Sequence, residues 1–204
     1  MALTLLHGPC TFDAADQVLN GFSEAGATFA NFNGGGAKRF AIVSNQASND
    51  GNCILIDDAM SAVDIQASEA TISGSDAGLV TRWANGSGST LGDLYLAYTN
   101  GNLYKLTAAG GFTLVGSTGA SYSAGQVWNL RSEGDTHTLA VNGTDQTPLT
   151  DSDFATGKCG FYGGSGASAL FDDFSDYVDA PSGTLLVNPG MTGNMRDLVG
   201  GIRG

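Results

Sequence analysis

A chain of 204 residues is long enough to bury a core without cross-links, and its formal net charge of −12 comes from 20 acidic against 8 basic side chains. That acidity repels a phosphate backbone and an anionic membrane surface, which argues against nucleic acid or membrane as partners. With 31 Gly, only 4 Pro, and Asp far outnumbering Glu, the composition disfavours long helices and suits short strands joined by tight turns.

In chain order, the opening Met1-Ala2-Leu3-Thr4-Leu5-Leu6-His7 lacks the basic start and the apolar core of an export signal. No apolar run reaches the ~18 residues of a membrane span. Strand-like runs then recur at the spacing of a sandwich, over 27–32, 38–44, 53–56, 63–72, 78–84, 94–99, 103–107 and 112–116, and further on over 126–133, 136–142, 158–162 and 169–178. Alternation is clearest where Trp128 and Leu130 share one face against Val127, Asn129 and Arg131 on the other. Asn100-Gly101 and Asn142-Gly143 are hairpin turns, with Gly110-Gly111 and Gly134-Asp135 marking further reversals. A single helical turn is expected at 151–155, capped by Asp151 and ended by Gly157. A boundary falls at Asp179-Ala180-Pro181, dividing a sandwich over 1–179 from an extension over 180–204. That extension is too short to bury its own Leu185, Leu186, Met191, Met195 and Leu198, which makes them candidate contacts to the sandwich or to a neighbouring subunit of a homo-oligomer.

Cys10, Cys53 and Cys159 match neither a disulfide framework nor a zinc pattern, and Cys53 and Cys159, each in an apolar run, read as small buried hydrophobes. From Trp128 onward the pattern becomes familiar. The run Trp128…Leu130…Gly134…Leu139…Val141-Asn142-Gly143, then Asp151…Gly157…Gly160-Phe161, then Phe171-Asp172-Asp173-Phe174, resembles the concanavalin A-like lectin/glucanase superfamily, laminin G-like modules included. Segments 78–83 and 94–98 are similar to its central strand pair, and the resemblance spans about residues 11–178. It implies an all-β fold: an antiparallel two-sheet jelly-roll sandwich with a short C-terminal extension. It also implies a structural calcium near the chain ends, for which Asp13, Asp172 and Asp173 offer hard oxygen ligands. A second oxygen-rich loop holds Asn45, Asn49, Asp50 and Asn52.

Members of that superfamily that cut polysaccharides carry two Glu and one Asp at alternating positions on one strand, which places acid and nucleophile on one face. Here Glu24, Glu69 and Glu133 are isolated, and adjacent pairs such as Asp57-Asp58 point to opposite faces of a strand. There is no nucleophile elbow, and His7 and His137 read as exposed side chains. The expectation is therefore a protein that is not an enzyme and needs no cofactor beyond a structural calcium. For a sugar, whose faces stack on rings while polar groups set its orientation, Arg82, Trp83, Tyr95, Tyr98 and Tyr104 on consecutive strands are the candidates. Missing catalysis, the unprocessed start and the apolar tail point to a non-catalytic virion protein. The expected partners are capsid or tail proteins of a phage particle and a host glycan, and the expected location is the virion. The alternative is a carbohydrate-binding module or a glycan-active domain of the hydrolase or lyase kind.

Overall fold

The computed structural model describes residues 3–15, 17–33, 39–87, 90–109, 111–166 and 168–179. The extension over 180–204, with the five apolar residues singled out above, lies outside them. Among the described residues every element is a strand: β1 (Leu3–Cys10), β2 (Ser23–Glu24), β3 (Ala27–Asn33), β4 (Phe40–Val43), β5 (Gln46–Asn49), β6 (Cys53–Asp57), β7 (Gln66–Ile72), β8 (Ala77–Ala84) and β9 (Asp93–Tyr98), followed by β10 (Asn102–Leu106), β11 (Phe112–Ser117), β12 (Gln126–Glu133), β13 (Thr136–Val141), β14 (Thr144–Asp145), β15 (Leu149–Thr150), β16 (Lys158–Gly163) and β17 (Leu170–Asp179).

They form two antiparallel sheets. The first runs β14-β13-β12-β7-β17-β5-β4, with β1 added to β17 and β15 to β13; the second runs β11-β10-β9-β8-β16-β6-β3-β2. The order of each sheet departs from the order of the chain, so most strands find neighbours through crossovers between sheets, as in a jelly roll. The hairpin of β12 and β13 sets Trp128 opposite Val141 and Leu130 opposite Leu139 and reverses at Gly134-Asp135, with Gly134 at positive φ; Asn142 and Gly143, both at positive φ, then turn β13 into β14. Trp128, Leu130 and Leu139 are buried and share one cluster with Phe29, Leu55, Leu79, Phe161, Phe171 and Phe174. This is the layer between the sheets.

A second apolar layer covers the other side of the eight-stranded sheet: Ile54, Ile56, Val80, Trp83, Leu91, Leu94, Leu96, Leu106 and Tyr162. It accounts for β6 and the stretch Ala77–Trp83, which are buried on both faces and read as continuous apolar or small-residue runs.

The structure corrects three expectations. No helical turn forms at 151–155. Instead the Asp151 carboxylate accepts from the Asp153 amide (3.1 Å) in a local turn and is drawn off by Tyr95 and Lys105. His137 is buried (1% exposed) rather than at the surface. The Asn49 amide belongs to no metal loop, because it donates to the Gly51 and Gly164 carbonyls while its oxygen accepts from the Ala169 amide. The three cysteines are free and buried.

Candidate functional site

On the outer face of the eight-stranded sheet four rings close a circle. Tyr98 meets Tyr104 (centroids 6.2 Å, edge on), Tyr104 meets Phe112 (6.2 Å), Phe112 meets Tyr162 (5.5 Å) and Tyr162 meets Tyr98 (6.0 Å). With Leu96 they line a cleft of about 250 Å³. Register explains the gathering. Tyr98 pairs with Asn102, two residues before Tyr104, so the Asn100-Gly101 hairpin sets both tyrosines on one face. Phe112 joins from β11, where it pairs with Leu106.

Tyr162 comes from further away. It pairs with Gly78 of β8, which in turn pairs with Tyr98 of β9, so the two rings meet above a residue with no side chain. A Cβ at Gly78 would stand 2.5 Å from the Leu96 methyl and from the Ala97 carbonyl oxygen, so only glycine fits beneath the cleft. Phe112 is 42% exposed and Tyr162 is 6% exposed, so the cleft has one open wall and one sealed one. Burial pushes the Tyr162 hydroxyl up, keeping it a neutral donor at any ordinary pH. The Tyr104 hydroxyl accepts from the side-chain amides of Asn100 (2.8 Å) and Asn102 (3.2 Å), placing polar groups at the rim of an aromatic surface.

Of the five residues named from the sequence, the structure brings Tyr98 and Tyr104 together and separates the rest. Tyr95 lies three positions before Tyr98 on β9, hence on the opposite face, and its ring is buried against His137 (3.8 Å) and Phe154 (5.2 Å). Arg82 is 1% exposed, at a bulge of β8 where its φ is +54°. Trp83 shares the outer layer but is spent on it, stacked on Phe32 (4.4 Å) with its indole N–H donating to the Leu91 carbonyl (2.7 Å). Phe112 and Tyr162 were missed. Alternation marks their faces, but only the sheet order makes them neighbours.

Behind Tyr95 runs a buried polar chain. The Tyr95 hydroxyl donates to Asp151 Oδ1 (2.6 Å), and His137 Nε2 donates to the Asp151 carbonyl (3.1 Å). That fixes His137 Nδ1 as acceptor from the Ser132 hydroxyl (2.8 Å), which in turn accepts from Thr81 (2.7 Å). Burial holds the His137 imidazole below its ordinary range. Burial also acts to raise the Asp151 carboxyl, but hydrogen bonds from Lys105 and Tyr95 outweigh it and hold that group below the usual range. The neutral imidazole therefore contributes stability that is present above its unfolded-state value of about 6.5 and is lost as pH falls below it. Asp151 follows the same sign at lower pH, below 3.8. We expect the difference in urea midpoint between wild type and His137→Gln to change between pH 7.5 and pH 5, with the wild type losing more. The difference is the quantity to measure because Asp176, raised by burial and by Asp57, works in the opposite direction and cancels between the two proteins. A constant difference across that range would remove His137 as the titrating group.

The calcium ligands expected from the sequence sit close but do not converge. Burial and the charges of Asp173, Asp13 and Glu24 push the Asp172 carboxyl up, which marks four acids in one region. Among the described residues, however, the one set of three ligating side chains with converging donor atoms is His7, Asp57 and Asp176. Glu24, the nearest of the four to a defined role, is occupied by the Thr11 and Phe12 amides (3.2 and 3.1 Å).

A second groove of about 300 Å³ opens on the outer face of the other sheet, lined by Leu5, Glu69, Val127, Asp173, Ser175 and Tyr177 among others. Here the fold gives Glu69 the acidic neighbour its own strand lacks. Both Glu69 oxygens are engaged, by the Tyr177 hydroxyl (3.0 Å) and the Asn129 amide (3.0 Å), and Asp173 accepts from Thr71 (3.3 Å).

No protein-family model matches the sequence, and no curated protein matches it. Solved structures do. A carbohydrate-binding module, CBM66, from Bacillus subtilis superposes with a TM-score of 0.56 at 16% identity over 72% of this chain and 94% of that one. Domain 4 of AbnA, a GH43 extracellular arabinanase from Geobacillus stearothermophilus solved with arabinotriose, gives 0.53 at 10% identity over 86% and 93%. The fold is theirs. A Bacillus subtilis protein of unknown function with a galectin-like fold gives 0.50 at 13% identity over 86% and 99%. At these identities the likeness is one of architecture, and it agrees with the concanavalin A-like sandwich read from the Trp128 hairpin. Among the described residues no helix is long and apolar enough to cross a membrane.

Proposed function

We propose that this chain is a non-catalytic carbohydrate-binding domain that holds a neutral sugar in the Tyr98–Tyr104–Phe112–Tyr162 cleft. The carrying observation is the closed circle of four rings open to solvent, with two side-chain amides on the Tyr104 hydroxyl. Rings offer flat apolar area to the C–H face of a pyranose or furanose, and the amides supply directional hydrogen bonds to its hydroxyls. Among the described residues no Lys or Arg lines the cleft, and the net charge is −12, so an anionic sugar finds no partner there. A cleft of about 250 Å³ suits one end of a chain or a short unit rather than a long polymer track. The similar structures named above include one titled a carbohydrate-binding module and one solved with arabinotriose, which supports this reading.

The alternative drawn from the sequence thus has more behind it than the virion reading, which none of the similar structures supports. A glycan array followed by calorimetry on the best hit tests the proposal. Neutral glycans are expected to bind and uronate or sialic acid chains are not. Tyr104→Ala and Phe112→Ala are each expected to weaken binding roughly tenfold, since one ring contact of this kind carries about 1.4 kcal/mol. Binding indifferent to both substitutions would move the site elsewhere, and new reducing ends released from the bound glycan would overturn the non-catalytic reading.

A further inference from the structure

Among the described residues, one imidazole and two buried carboxyl groups meet at a point well away from the aromatic cleft in sequence and chemistry. His7 of β1, Asp57 of β6 and Asp176 of β17 bring donor atoms within 4.8 Å of one another. β1 and β17 belong to one sheet and β6 to the other, so the cluster bridges the two layers. The Asp57 and Asp176 side chains are 0% exposed and His7 is 16% exposed. Among the described residues neither acid forms an ion pair with Lys or Arg.

The two acids are not equally satisfied. Asp57 Oδ1 accepts from the amides of Thr28 and Ala59, each at 2.9 Å, and Oδ2 faces His7 Nδ1 at 2.5 Å. Asp176 Oδ1 accepts from the His7 amide at 2.9 Å and lies 3.5 Å from His7 Nδ1. Asp176 Oδ2 is buried and no N–H or O–H of another residue reaches it, so that carboxyl is left facing the one of Asp57. An orphaned carboxylate oxygen beside a second buried carboxylate is among the costliest arrangements a core can hold. A single proton between the carboxyls neutralises one of the two acids and leaves the other to His7 alone. A dication neutralises both and gives the orphan a bond.

We propose that His7, Asp57 and Asp176 bind one divalent transition-metal ion of the zinc class, which ties the first strand to both sheets. The donor set selects the ion. An imidazole nitrogen with two carboxylates suits zinc, cobalt or manganese, whereas calcium takes oxygen ligands alone and in greater number. Three protein ligands leave one tetrahedral position for water. Metal–ligand bonds of about 2.0–2.2 Å put neighbouring donors roughly 3.3 Å apart. The His7 ring therefore gives up its hydrogen bond to Asp57 and moves back by under about 1 Å, holding its remaining proton on Nε2. β1 allows this. It lies along one edge of β17, and its register shifts on either side of His7, between Leu5 and His7 and between His7 and Cys10. The field of the two acids also reaches Cys10 and Cys159, adding to the burial that holds both thiols protonated, so the negative potential here extends beyond the three ligands.

The test uses the full chain, stripped with chelator and dialysed separately against Zn²⁺, Co²⁺ and Ca²⁺. Bound metal is counted by mass spectrometry, the Co²⁺ form is followed by its visible absorption, and thermal unfolding is recorded with and without each ion. One Zn²⁺ or Co²⁺ per chain is expected, with a higher melting temperature and no comparable gain from Ca²⁺. Asp176→Asn keeps the shape and removes the charged ligand. His7→Gln, on an edge strand, removes the imidazole with little packing cost. Each is expected to weaken uptake roughly tenfold or more and to abolish the Co²⁺ absorption. Absence of stoichiometric uptake, uptake unaltered in both variants, or preference for Ca²⁺ would each overturn the proposal. None of these results bears on glycan binding at Tyr104, which is measured separately.

Discussion

Arg82→Leu is expected to cost about 2–4 kcal/mol of folding stability and to lower the melting temperature by roughly 10 °C. The guanidinium is 1% exposed and works as a staple across three segments. Its Nη1 donates to the Phe154 carbonyl (2.7 Å), and its Nη2 donates to the Gly134 carbonyl and to Asp64 Oδ1 (2.5 Å). Asp64 is half exposed and hydrates readily once the partner is gone, so that ion pair accounts for little of the loss. The cost falls on the half-buried Phe154 carbonyl, which leucine leaves without a donor, and on the loss of the tie to the Gly134 turn.

The backbone adds to this. Arg82 sits at φ +54° in a strand, strained for a side chain of its size, and its main chain is pressed so closely by Gly157 that a Cβ there would stand 2.2 Å from the Arg82 carbonyl carbon. The strain is held by the network and not by the strand. Arg82→Lys keeps the charge without the planar fork and is expected to fall between wild type and Arg82→Leu. Urea and thermal unfolding of the three proteins measure this. A loss under about 1 kcal/mol in Arg82→Leu would mean that the staple is dispensable.

Phe161→Ala is expected to cost about 3–5 kcal/mol, for a different reason. Its ring is the hub of the inter-sheet layer, with Phe171 at 4.5 Å, Phe40 at 5.0 Å, Phe174 at 5.3 Å, Phe12 at 6.2 Å and Phe29 at 6.3 Å between centroids. The partners come from both sheets and from the chain after β1, so they cannot close together over the space that alanine leaves. The loss is a cavity term added to the lost transfer of the ring. Phe161→Leu fills most of that space and is expected to cost clearly less. Equal costs for Ala and Leu would point to a specific ring contact instead of volume.

Much of this architecture is legible along the chain. The Trp128 hairpin carries strict alternation and a Gly-Asp reversal at 134–135, both of them local signals, and its register in the structure follows them. β1 left no such trace. It is largely exposed, contains Gly8-Pro9, and takes its order from pairing with β17 at the far end of the chain. β5 is polar, reading Gln-Ala-Ser-Asn, and is a strand because β4 and β17 flank it. Asp151 had the chemistry of a helix cap and the carboxylate of an ion pair, and the Lys105 and Tyr95 contacts took it.

The site divides along the same line. Composition, turn chemistry and period-two alternation determined the fold class and the Tyr98–Tyr104 hairpin face, because each of these depends on residues within a few positions of one another; Tyr95 is grouped with that pair from the sequence although its odd spacing from Tyr98 puts it on the other face. The tertiary structure alone decided that Tyr162 meets Tyr98 across Gly78, that Trp83 is consumed by a second apolar layer, and that His7, Asp57 and Asp176 share one buried point. Alternation states which residues lie on the same side of a strand. It does not state which side is covered when both are apolar, nor which strand lies next, and those two facts are set by how the whole chain closes over its sheets.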